Sequence, residues 1–281
     1  MNIAVISPHY RSTGNTTVAS LLGLELANRG GKTCITHSLA RSESIYKYLG
    51  VESIQDKTVN PARLVRMIKG GVLKPEEISD YCRSINSRLD LFSADSDTFT
   101  QEDMILALDC IVNSFPHDYI VYDIDNKELE SEGNRLILKN ADVVIVVVTQ
   151  DAMELEEFRK SREKILKALD GLPQLVVINK YCEVIGSLKD TAAMMGIKSP
   201  KNWSTVRYNP WVGFGTNNGR LCEIYRNISL SDYRVIDVGS DIRAVANLVL
   251  NVKAANRKLN KKLLRRRLGV RQGMGVDQSN D

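Results

Sequence analysis

Histidine and paired cysteine are scarce in this chain, and each scarcity excludes a class of protein. His9, His37 and His117 are the only three histidines in 281 residues, too few and too dispersed for a zinc site. Five cysteines (Cys34, Cys82, Cys110, Cys182 and Cys222) lie far apart with no Cys-x-x-Cys pair. An odd, scattered set argues against a disulfide framework and predicts reduced core thiols in a cytoplasmic protein. A metal site built from protein side chains alone is not expected. No apolar run approaches the ~18–20 residues that span a bilayer; the longest surrounds Val143 to Val148. The first residues, Met-Asn-Ile-Ala-Val-Ile-Ser, have neither a charged leader nor a cleavage site and read as a strand. With 43% hydrophobic and 26% charged residues, the composition is that of a folded globular chain rather than a disordered one.

Charge is unevenly placed. The net formal charge is +4, yet Lys253, Arg257, Lys258, Lys261, Lys262, Arg265, Arg266, Arg267 and Arg271 occupy a stretch without a single acid. The remainder is mildly acidic and the tail strongly basic, which points to an anionic partner at the tail.

Periodicity organises the rest. Asn2 to Ile6 is a short apolar run ending at Ser7-Pro8. Thr16 to Asn28 carries Val18, Leu21, Leu22 and Leu26 at helical spacing and closes at Gly30-Gly31. Thr33 to His37 reads as a strand, and Pro61 and Pro75 stand where helices start. Arg88 to Phe92 reads as a strand and Gln101 to Phe115 as a helix. Tyr119 to Ile124, Val143 to Val148 and Leu175 to Ile178 are apolar runs without alternation, the mark of strands buried on both faces. Between the last two, Asp151 to Leu169 is a periodic helix. The expected fold is α/β: a mostly parallel, doubly wound sheet flanked by helices. It is expected to form one domain over residues 1–250, followed by a basic helical tail over 251–281.

In such a sheet, ligands sit at the carboxyl ends of strands. The first such end leads into Ser7-Pro8-His9-Tyr10-Arg11-Ser12-Thr13-Gly14-Asn15-Thr16-Thr17, between a strand and a helix. A phosphate loop needs that context, with backbone N–H groups at a helix N-terminus facing the anion and a hydroxyl for Mg²⁺. Gly14, Thr16 and Thr17 suit the role, and the same residues also suit a plain helix start. Gly213-Phe214-Gly215 lacks strand-turn-helix context and reads as a flexible loop.

Later segments give a resemblance. Phe115-Pro116-His117-Asp118-Tyr119-Ile120-Val121-Tyr122-Asp123, Ala141-Asp142 with the following valine-rich strand, and Leu175-Val176-Val177-Ile178-Asn179-Lys180 resemble successive strand ends of the ParA/MinD family of P-loop ATPases. Arg207-Tyr208-Asn209-Pro210, followed by Asn217-Asn218-Gly219-Arg220, is similar to its segment beside the base. Within the family, the TadZ/CpaE-like pilus-positioning branch, whose phosphate loops are often atypical, is the nearest. The resemblance implies a P-loop NTPase fold and binding of ATP or ADP with Mg²⁺. It implies nucleotide contacts from Gly14, Asn15, Thr16, Thr17, Asp123, Asn179 and Pro210. Thr16 and Asp123 would hold the metal, and Asp125 could share that role. The alternatives drawn from the residues alone are a solvated strand-end acid for Asp123 and a turn residue for Asn179.

The chain also departs from the family. The family loop reads K-G-G-x-G-K-T-T. Its first lysine falls on Tyr10, two glycines on Arg11 and Ser12, and its second lysine on Asn15. The aspartate that ends the second strand falls near Ser38 or His37. Phosphoryl transfer depends on charge stabilisation, and one cationic contact can be worth ~10³-fold. Weak or absent hydrolysis with weakened nucleotide binding is therefore expected. Tyr10, Arg11 and Ser12 occupy the face through which relatives dimerise.

These features imply a homodimeric positioning or assembly factor for a pilus, secretion or DNA-segregation machine. The chain is expected to be cytoplasmic, peripheral at membrane or nucleoid. The alternatives are an active partition ATPase binding DNA non-specifically and a scaffold of the same fold that binds no nucleotide. In the tail, Leu248, Val252, Ala255, Leu259 and Leu263 form one apolar stripe on a helix with basic flanks. That pattern suits a solvated docked helix. It also suits an anionic surface, lipid or DNA backbone, meeting Lys258, Lys261, Lys262, Arg265, Arg266, Arg267 and Arg271. No aromatic residue follows Tyr233, which argues against base stacking by the tail.

Overall fold

The structure is a computed structural model that describes residues 1–8, 13–39, 44–51, 61–93, 99–124, 130–169, 171–197 and 202–272. The strands are β1 (Asn2–Ile6), β2 (Thr33–His37), β3 (Arg83–Asn86), β4 (Leu89–Leu91), β5 (Tyr119–Asp123), β6 (Val143–Val148), β7 (Gln174–Tyr181) and β8 (Trp203–Arg207). They form one sheet in the order β3-β4-β2-β5-β1-β6-β7-β8. Every pairing is parallel except that of β3 with β4 at the edge.

Unbroken valine runs are explained by the two cores that they feed. Val143, Ile145 and Val147 of β6 enter one core, and Val144, Val146 and Val148 enter the other. Neither face of the strand meets water, so no polar alternation is selected. The first core is closed by α1 (Asn15–Asn28), α2 (Ser44–Leu49), α9 (Leu221–Ser229) and α10 (Ile236–Gln272). The second is closed by α3 (Pro61–Lys69), α4 (Gln101–Ser114), α5 (Glu132–Lys139), α6 (Ala152–Ala168) and the 3₁₀ turn Pro75–Tyr81. Two further helices, α7 (Leu188–Met194) and α8 (Pro210–Asn217), lie beyond β7 and β8. Local chemistry sets the ends. Thr100 and Ser187 open α4 and α7 with reciprocal capping boxes to Asp103 and Asp190. Gly30, at φ 93°, closes α1.

Two expectations are corrected. The strand read at Arg88 to Phe92 is one arm of a hairpin. Asn86 Oδ1 accepts from the backbone of Arg88 and Leu89, both at 2.9 Å, and so folds β3 back onto β4. The polar make-up of Arg83-Ser84-Ile85-Asn86, on an exposed edge, hid that strand. Gly213-Phe214-Gly215 is no loop; it lies inside α8, which Asn209 caps and Pro210 begins. A Cβ at Gly215 would come within 2.7 Å of Ile224 Cγ1, so that glycine serves the contact between α8 and α9.

The long helix α10 sets the molecule's polarity. Near its start Asp241 meets Arg207 at the carboxyl end of β8. Further along, Lys253 lies over the ring of Tyr119 at the amino end of β5, 4.0 Å from its centroid. The helix therefore runs back along the sheet, and residue 250 falls inside it. Its last 19 residues, after Lys253, extend about 28 Å further at 1.5 Å per residue. Among the described residues, no helix is long and apolar enough to cross a membrane.

Candidate functional site

The first βα junction carries the site. α1 starts at Asn15 directly after Gly14, which takes the left-handed φ of 87° and leaves the helix N-terminus without a side-chain cap. The N–H groups and positive dipole end of a 14-residue helix thus face the carboxyl end of the sheet, an arrangement that favours an anion. No acid lies in the first turn to offset it.

Two contacts shape this junction. Thr16 Oγ1 donates to Asp123 Oδ2 at 2.6 Å, joining the second residue of α1 to the last of β5. Both groups are hard oxygen donors, which suits Mg²⁺ held jointly by a phosphate. Among the described residues no cluster of three or more His, Cys, Asp or Glu forms a metal cage, so such a cation needs non-protein ligands as well. From the other side, Asn179 Nδ2 donates to the Thr13 carbonyl at 2.7 Å. A Cβ at Gly14 would lie 2.2 Å from that nitrogen, so glycine is required both by φ and by the close approach of β7. Asn179 thus braces the loop with its amide.

The other sequence-derived residues distribute as follows. Asn15 is buried, its Oδ1 accepting a long 3.5 Å contact from Thr13 Oγ1, and Thr17 follows in the first turn of α1. Pro210 is the first residue of α8, beyond the end of β8 and one strand outward from Asn179. Tyr10, Arg11, Ser12 and Asp125 lie outside the described residues. Lys258, Lys261, Lys262, Arg265, Arg266, Arg267 and Arg271 lie on α10, where the helix backbone is described and these side chains are not.

Composition gave no warning of a buried polar pair. His37, last in β2 and in register with Asp123, has its Nε2 bonded to Ser93 Oγ just beyond β4. Burial drives the His37 pKa down to about 4, against a smaller opposing effect of the Leu39 backbone. The imidazole is neutral at ordinary pH. Across the sheet, Gln150 accepts from Cys182 N at 2.7 Å and donates to the Gly186 carbonyl at 2.8 Å, tying the loops after β6 and β7 together. A polar residue immediately past a buried strand was the available signal for Ser93 and Gln150.

The architecture has known counterparts. The Pyrococcus horikoshii septum site-determining protein MinD complexed with Mg-ADP superposes with a TM-score of 0.63 at 19% identity, over 88% of this chain and 94% of that one. MinD in the Aquifex aeolicus MinC:MinD cell division complex gives 0.64 at 19%, over 89% and 95%. A ParA family ATPase from Chlorobium tepidum gives 0.66 at 12% identity, over 88% and 98%. The chain has the MinD/ParA fold. No protein-family model matches the sequence, and no curated protein is similar to it. The likeness is one of fold, at 12–19% identity over 88–89% of this chain.

Proposed function

We propose that this chain binds Mg-ATP or Mg-ADP at the N-terminus of α1, turns it over slowly or not at all, and acts as a positioning or assembly factor. The observation that carries this reading is the Thr16–Asp123 contact beside the uncapped start of α1. It puts a phosphate-facing amide array and a pair of Mg²⁺ oxygen ligands at one strand end. That a protein of the same fold, Pyrococcus horikoshii MinD, is complexed with Mg-ADP supports the nucleotide reading. Asn15, where the family loop has lysine, leaves residues 13–17 without a cation, which removes the charge stabilisation that phosphoryl transfer needs.

By the same reading the chain pairs with a second copy, and it serves a cargo-placing role of the kind in which MinD and ParA proteins act. Its departures from the family loop favour the TadZ/CpaE-like, pilus-associated variant of that role. The cationic helix engages an anionic surface. Its leucines (Leu259, Leu263, Leu264 and Leu268) favour lipid headgroups, with duplex DNA as the competing outcome of the test described below.

Calorimetric titration with Mg-ATP tests the nucleotide reading. Binding in the micromolar to millimolar range is expected, falling at least about tenfold in Asp123→Ala, a loss of roughly 1.4 kcal/mol. Nanomolar affinity with brisk turnover would contradict the degenerate site, and no heat and no thermal shift would leave the scaffold reading.

A further inference from the structure

Far from the phosphate-facing end of α1, a buried carboxylate is held by three elements. Glu25 is 3% exposed, an unusual place for a carboxylate. Its Oε1 accepts from Arg29 Nε at 2.6 Å, and its Oε2 accepts from the Tyr225 hydroxyl of α9, also at 2.6 Å. The Arg29 guanidinium then reaches α10, donating to Asn247 Oδ1 at 2.7 Å and to the Arg243 carbonyl at 3.1 Å. The Glu25–Arg29 ion pair thus ties the end of α1 to α9 through the carboxylate and to α10 through the guanidinium. Its geometry demands all three together, because a buried carboxylate stripped of a partner is costly.

The position of this clasp matters because α1 carries the phosphate-facing amides. Residues 13–17 have no cation of their own, so over that stretch a phosphate meets backbone N–H groups whose aim follows the helix. From Asn15 to Glu25 is ten residues of one helix, about 15 Å. A tilt at one end of a rigid helix moves the other. We propose that Glu25, Arg29 and Tyr225 are positioning residues that make the aim of α1 depend on the seat of α10, so that the nucleotide site and the cationic helix influence each other. This inference rests on the nucleotide-binding reading above.

The test uses the full chain and Mg-ATP calorimetry. Tyr225→Phe removes only a hydroxyl, and Asn247→Ala removes the α10 carboxamide that accepts from Arg29. Ile111→Val, in α4 and the other core, serves as the control, since it loses stability away from α1, α9 and α10. Both clasp variants are expected to weaken Mg-ATP by about fivefold or more, the lower end of ordinary coupling between sites. The control, at an equal or greater loss of melting temperature, stays at the wild-type value. In hydrogen exchange, Mg-ATP is expected to slow the amides of residues 243–247 in the wild type and to do so less in Asn247→Ala. Wild-type binding with unchanged affinity in both clasp variants overturns the inference while sparing the nucleotide reading. A wild-type chain that binds no Mg-ATP overturns both.

Discussion

At the scale of single residues, His37 shows how burial replaces charge. Its ring is held neutral, with a pKa of about 4 against 6.5 for the free side chain. The unfolded chain takes up this proton first, so the contribution to stability is complete above about pH 6.5 and is lost as pH falls toward 4. Urea unfolding near pH 5 should show a loss of roughly 2 kcal/mol relative to neutral pH, and His37→Asn should flatten that part of the profile. Asn15 is the second informative residue. Asn15→Lys is expected to raise Mg-ATP affinity by about tenfold through one charge-assisted contact to phosphate. An unchanged titration would mean that the loop does not face a phosphate. Gly14 and Thr16 stood out in the sequence because a strand end followed by a helix start restricts what residues there can do, whereas Asp123 was singled out by the family resemblance at the end of β5. The His37–Ser93 pair was not, because it joins positions 56 apart that only the β4-β2 adjacency brings together.

At the scale of elements, the strands of the sheet interior were readable and the edge was not. β5, β6 and β7 declared themselves by unbroken apolar runs, since burial on both faces tolerates little else. The edge hairpin and α8 depend on side-chain caps from Asn86 and Asn209, and one asparagine among polar neighbours carries no periodic signal. α8 also predicts the behaviour of its glycine. Gly215→Ala should destabilise the fold by about 1–3 kcal/mol in urea unfolding, because the new methyl group runs into Ile224 and one of the two helices must shift. For α10, the chain without residues 258–281 should fold as before, since among the described side chains those of α10 packed into the core end at Val252. It should lose sedimentation with anionic vesicles at low salt, where each exposed basic residue contributes about 1 kcal/mol. A gel shift with duplex in place of vesicle binding would assign the helix to nucleic acid. Indifference of the full chain to both partners would leave it a solvated helix end.

At the scale of the whole molecule, the strand order places every nucleotide-facing candidate at one end of the sheet. β1, β5 and β7 end there with Ser7, Asp123 and Asn179 close to the start of α1. Exposed apolar groups gather at the same end, among them Tyr208, Trp211 and Phe214 around α8 and Val184 and Ile185 after β7. Self-association should therefore depend on direct apolar contact more than on nucleotide. Light scattering should report a dimer at high concentration whether or not Mg-ATP is present, and a monomer under both conditions would refute this.

The course of α10 has one more consequence. Because it leaves the body past Tyr119, at the opposite end of the strands from Asp123, the segment after Lys253 and the start of α1 occupy separate space. A polyanion on the helix cannot shut out a nucleotide by standing in its way, nor can a nucleotide displace the polyanion. Inhibition patterns between the two ligands would be noncompetitive. A titration of one at saturating concentrations of the other should reach full occupancy, with at most a shifted midpoint, so a molecule docked by its tail still has its nucleotide door open.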